Sequence, residues 1–308
     1  MRYFELAKIG DNSVLKYVGT ILLLASTLVG FGQLPLMIAL LLKGISVNDM
    51  DKMSALEIRL MLGNNMFIIV QLIPFIILLI FLLFAVRKLH KRPILSLFTI
   101  RPEIDFKRIF FSFSVWSIFL FISLFISMKS GAELKWNFNP NTFGMLVGIS
   151  FFIIPLQTTF EELFFRGYLI QSFGRRFKAP LFPMLLSGVI FGVMHYSNPE
   201  VKVLGTGILG YYILTGVFTS LMAVIDEGLE LGIGFHAANN IFGCLIVTNH
   251  WQVFQTDALW MDMSEPKIGL DLIITLLVFF PLMLFIFSKK YKWKSLKDGL
   301  LAKISDKH

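Results

Sequence analysis

PNTFGMLVGISFFIIPLQTTFEELFFRGYL, residues 140–169, decides the fold of this chain. From Pro140 to Phe160 it runs 21 residues without Asp, Glu, Lys, Arg or His, enough to cross the ~30 Å hydrocarbon core of a bilayer as a helix. It then places Glu161, Glu162 and Arg166 within six positions, where such charges are costly.

Working outward, the runs 17–42, 64–86, 109–128 and 203–225 are equally free of ionisable residues. The runs 179–199, 231–248 and 268–288 hold one each: His195, His236 and Asp271. The chain has 308 residues, of which 56% are hydrophobic and only 16% charged, against about a quarter in a soluble domain. The expected fold is therefore all-α, a polytopic membrane bundle of about eight transmembrane helices forming one domain over residues 1–308. The first run is 26 residues long with no small-residue cleavage site after it, so it reads as a span rather than a cleavable leader.

The net charge of +8 is a matter of topology rather than of nucleic-acid binding. With the N-terminus inside and sides alternating, 21 of the 28 Lys and Arg fall in 1–16, 87–108, 161–178 and 289–308, and 7 in 43–63, 129–139, 200–202 and 249–267. That asymmetry places both termini in the cytoplasm by the positive-inside rule. The single Cys244 excludes a disulfide framework. GTGILG, residues 205–210, matches a dinucleotide-binding string but follows no strand, so it reads as small residues in a hydrophobic span and no dinucleotide is expected.

Three polar clusters remain. In the first, Glu162 and Arg166 are i,i+4 on a helix and share a face as an ion pair, while Glu161 points about 100° away without a local partner. In the second, Gly188, Gly192 and His195 line one face, a stripe that lets a neighbouring backbone come close beside the imidazole. Glu161 lies roughly 21 Å before Arg175 and His195 roughly 22 Å after Pro180, so the two come level on adjoining helices as a base pair for water. In the third, His236 and Asn240 are i,i+4 and can both donate to an oxyanion, though His236 lies only roughly 8 Å from Leu231. Each cluster also has a plainer reading: a structural ion pair or a wet helix end for the first, a satisfied hydrogen-bonding histidine for the second, and interhelical hydrogen bonding for the third. No H-E-x-x-H or G-x-S-x-G is present, yet Glu161, His195 and His236 would supply three ligands to a zinc ion, so both metal-free and zinc-dependent chemistry stay open.

E-E-x-x-x-R, then F-x-x-x-H with Phe191, then H-x-x-x-N, in order on three apolar runs over about residues 142–248, resembles the CPBP family of intramembrane proteases. That family includes CAAX prenyl endopeptidases and Abi bacteriocin-immunity proteins. The resemblance implies a helical core in which Glu161 and His195 activate water for attack on a peptide carbonyl. His236 and Asn240 would hold the oxyanion, with Glu162, Arg166 and Phe191 in support. It implies a polar cavity open to the cytoplasm or the bilayer, a peptide or protein substrate at the membrane, and a plasma-membrane location, bacterial given so compact a chain. A non-catalytic immunity or scaffold protein, and a transporter using Glu161 and His195 as a proton relay, are the alternatives.

Overall fold

The computed structural model describes residues 2–177 and 179–293. Lys178 and the basic segment 294–308, part of the charge asymmetry above, lie outside the described residues.

Eight principal helices form the bundle among these residues. They are α1 (Val14–Leu42), α2 (Asn64–Leu89), α3 (Phe106–Lys129), α4 (Pro140–Gly174), α5 (Leu181–Met194), α6 (Ile208–Asp226), α7 (Glu230–Leu245) and α8 (Leu270–Tyr291). Six are long and apolar enough to cross a membrane; α5 and α7, at 14 and 16 residues, are shorter than the runs that contain them. Their starts follow local chemistry. Asn139 accepts the Asn141 N–H ahead of Pro140 at the head of α4, and Asp105 accepts the Arg108 N–H ahead of α3. Large side chains such as Leu15, Val29, Phe152 and Leu277 stand more than two-thirds exposed, a surface that only lipid solvates without penalty.

The connecting segments sort to the two ends as charge alternation predicts. At the basic end, Arg101 bonds Asp226 and Glu230 at 3.0 and 3.1 Å, Arg108 bonds Asp226, and Arg2 reaches Glu227 at 3.1 Å. This gathers the N-terminal segment, the α2–α3 connection and the α6–α7 turn. At the other end a three-stranded sheet joins β1 (Leu134–Trp136), β2 (Val247–Thr248) and β3 (Trp260–Asp262) in the order β1–β3–β2. Asn64 on α2 donates to Asp257 at 2.6 Å, and the Val253 N–H donates to Glu200 at 2.9 Å, so four connections meet there.

Glycine sets the closest helix approach. A Cβ at Gly188 would lie 2.7 Å from the Val217 amide nitrogen, and one at Gly192 2.7 Å from that of Ile213, so α5 rests directly on the backbone of α6. The expected Gly188/Gly192 stripe is thus present. Gly192→Ala must force the two helices apart and should destabilise the protein by about 1–3 kcal/mol, read as a lower thermal midpoint in detergent. The GTGILG stretch differs from expectation: α6 starts only at Ile208, and Gly205, with φ +77°, ends the short helix Pro199–Leu204. Its role is a left-handed turn rather than helix contact.

Below α2, His90 receives the Tyr168 hydroxyl at Nε2 and donates from Nδ1 to Asn12, both at 2.9 Å. Burial pushes this imidazole down from 6.5 to about 4. Above pH 6.5 both folded and unfolded chains hold it neutral; as pH falls towards 4 the unfolded chain protonates first. Stability should therefore fall across that window, and His90→Gln should flatten the profile in pH-dependent thermal melts.

Candidate active site

The charged stretch of α4 is wound more widely than an α-helix. Glu162–Leu169 forms a π-helical segment between α-helical stretches, a form concentrated at functional sites. Glu162 and Arg166 have no exposed surface, and Arg166 Nη1 lies 3.2 Å from Glu162 Oε1, the i,i+4 pair expected. Two buried charges need more than each other. Arg166 Nη2 also approaches the Gly216 carbonyl at 3.4 Å, and the guanidinium stands 4.2 Å from the centre of the Phe191 ring. Across from Glu162 the chain has Gly232, where a Cβ would come within 3.0 Å of Oε2.

His236 on α7 lies between the two glutamates. Its Nδ1 is 2.8 Å from Glu162 Oε1 and its Nε2 is 3.5 Å from Glu161 Oε2. The carboxylate left without a partner by sequence reasoning therefore meets His236, and Glu162 serves both Arg166 and His236. No hydrogen bond or ion pair joins Glu161 to His195 among the described residues, so the expected direct pairing is not formed. The reason lies in helix length. The helix α5 ends at Met194, leaving His195 as the capping residue among unsatisfied carbonyls, and Nδ1 donates to the Phe191 carbonyl at 2.7 Å. Since a carbonyl can only accept, that nitrogen carries the proton and Nε2 keeps its lone pair. The ring is stacked on Tyr212 at 4.4 Å between centres.

Asn240 joins the group through Gln157, which sequence reasoning passed over. Gln157 Nε2 donates to Glu161 Oε1 at 2.6 Å, and Asn240 Nδ2 donates to Gln157 Oε1 at 3.1 Å. A signal was available, since Gln157 is i−4 to Glu161 in an otherwise apolar run. The shallow depth counted for His236 is also accounted for. Asp226, Leu229 and Glu230 are buried beneath Arg101 and its neighbours, so the α6–α7 turn is not the edge of the bundle.

Glu161, Gln157, His195, His236 and Asn240 border one cavity of about 270 Å³. It does not face the basic end, the cytoplasmic side on the charge count: there Leu163, Tyr168, Leu229 and Ile233 close it in the hydrophobic core. It extends instead towards Asn198, Glu200 and the segment Gln252–Phe254 at the opposite end. As for zinc, among the described residues no three His, Cys, Asp or Glu are grouped to hold a metal ion, so Glu161, His195 and His236 do not form a ligand set here.

Residues 140–242, which carry Gln157, Glu161, Glu162, Arg166, His195, His236 and Asn240, match the family model described as type II CAAX prenyl endopeptidase Rce1-like. Over this segment the chain is similar to the CPBP family of intramembrane proteases. The helices α4–α7 contribute the Rce1-like segment, with α1–α3 and α8 packed around it. The chain is also 36% identical over 173 residues to an uncharacterized protein, YyaK, of Bacillus subtilis (strain 168), a match covering 55% of this chain and 58% of that one. The match thus takes in little more than half the length of that relative. No solved structure matches the chain.

Proposed function

We propose that the protein is an intramembrane endopeptidase that hydrolyses peptide bonds in membrane-associated peptides or protein tails. The observation that carries this is the meeting of Glu161, Glu162, Arg166 and His236 at a polar cavity inside an apolar bundle. With His236 protonated, the two carboxylates face two cations and the group is neutral, the arrangement least costly to bury. A substrate carbonyl oxygen arriving at His236 Nε2 takes that donor from Glu161. The freed carboxylate accepts a proton from water as the water oxygen bonds the carbonyl carbon. His236 and Asn240 donate to the resulting oxyanion. Collapse breaks the C–N bond, and Glu161 returns its proton to the leaving amine. His195 Nε2 offers a second acceptor for water across the cavity. Glu162 fixes the His236 ring, Arg166 balances Glu162, and Phe191 supports Arg166 with its ring and His195 with its carbonyl.

The charge asymmetry supports a plasma-membrane protein with both termini cytoplasmic, and the Bacillus relative supports a bacterial one. A second reading, a non-catalytic immunity or scaffold protein, draws on the fact that both glutamates already have partners. Comparative proteomics of membrane peptides from cells with wild-type or Glu161→Gln protein separates the two. Peptides that vanish in the variant name the substrate; identical peptide sets with an intact cellular phenotype leave the scaffold.

A further inference from the structure

The cavity has two ends, and they are built differently. Towards the basic loops lies the buried Glu162–Arg166 pair, and behind it a layer of fully buried apolar side chains including Leu163, Tyr168 and Leu229. Towards the other end its boundary is made of connections rather than helices: Asn198 and Glu200 from one, Gln252, Val253 and Phe254 from another. On its flank is α2, whose most apolar 18 residues have a mean hydropathy of 3.1 yet which sets Gln71 on the cavity rim. Gln71 is exposed, and its amide has no hydrogen-bond partner among the described residues. An amide turned to hydrocarbon costs several kcal/mol at this depth, so its place is beside water. Seven residues in from Asn64, it sits roughly 10 Å below the end of α2.

We propose that the catalytic cavity is loaded from the end of the bundle opposite the basic loops, the extracytoplasmic side, through a water-filled mouth between Gln71, Asn198 and the Gln252–Phe254 segment. Its occupant is an extended peptide segment exposed on that side. The rim suits this substrate class: Gln71 and Asn198 carry side-chain amides, which donate and accept as the peptide group does, so they can pair with main-chain N–H and C=O of any sequence, while the Gln252 amide braces its own segment by donating to Thr248 and the Phe254 carbonyl. Glu200 adds a buried carboxyl at the same rim. One of its oxygens accepts the Val253 N–H and the other has no partner among the described residues, and burial pushes its pKa up. Among the described residues no Lys or Arg lies on this rim. The substrate assignment rests on the protease reading, whereas the mouth rests on geometry and its side of the membrane on the charge asymmetry.

Single cysteines test it on the full-length chain, because Cys244 has no exposed surface and gives a silent background. Gln71→Cys and Asn198→Cys are each treated in intact protoplasts with a membrane-impermeant maleimide that shifts the band on a gel. Asn48→Cys marks the far end, Lys88→Cys the basic end, and Ile80→Cys the lipid-facing side of α2. The expected result is labelling of Gln71→Cys, Asn198→Cys and Asn48→Cys in intact protoplasts, labelling of Lys88→Cys only after permeabilisation, and none of Ile80→Cys. The proposal is overturned if Gln71→Cys and Asn198→Cys label only together with Lys88→Cys, or stay unlabelled after permeabilisation as Ile80→Cys does. The assay reads no cleavage. A chain that labels as expected but cuts nothing refutes the protease reading alone, and one that cuts but labels from the basic side refutes the mouth alone.

Discussion

Glu161→Gln should lower the cleavage rate by roughly 10²–10⁴-fold, the range lost when a positioned general base is removed, while protein abundance in the membrane stays near wild type. The amide keeps the size of the carboxylate and its oxygen can still accept from Gln157, so helix packing has little cause to change. Only the ability to take a proton is lost. His195→Gln gives a useful contrast. It leaves the Glu161–His236 contact in place and should reduce the rate less than Glu161→Gln if Glu161 is the principal base. Rates measured with purified protein in detergent, on a substrate peptide identified from cells, decide both. Equal activity of Glu161→Gln and wild type would end the catalytic reading.

The second large effect concerns stability. Arg166→Met removes the cation beside a carboxylate that has no exposed surface, and breaking a buried pair by one partner costs about 3–5 kcal/mol. It also removes the guanidinium from the Phe191 ring and from the Gly216 carbonyl. We expect a markedly lower thermal midpoint and reduced abundance. Adding Glu162→Gln should recover part of the loss, because the stranded charge goes with it; a double variant no more stable than Arg166→Met would show that the pair is not the source. Activity should not return with stability, since Glu162 also fixes the Nδ1 side of His236.

Much of this was legible in the sequence because membrane helices obey blunt rules. Uncharged runs marked the spans, and the Lys and Arg distribution sorted the connections to two ends that the structure reproduces down to the Arg101–Asp226 and Asn64–Asp257 contacts. The Glu162–Arg166 pair and the Gly188/Gly192 contact follow from i,i+4 spacing, which a helix enforces locally. The partner of Glu161 did not follow, for two reasons. The π-helical segment Glu162–Leu169 changes the angular step just where facing was being counted, and the run 179–199 gives no sign that its helix stops at Met194. Gln157 and Tyr212 were missed because a neutral amide and a tyrosine in an apolar run carry no charge to flag them. The direction of the cavity depends on short connections folding back over the bundle, and no periodicity encodes that.

The brevity of α5 has one more consequence. Its 14 residues rise roughly 21 Å, some 9 Å short of a typical hydrocarbon core. It is not hidden among longer helices, for Leu185, Val189 and Val193 form an exposed stripe along it. Lipids against that stripe must shorten or tilt to match it, and the bilayer dimples beside the helix whose end carries His195. Acyl-chain length in the surrounding lipid thus becomes a variable of how α5 sits, and with it of where His195 is held.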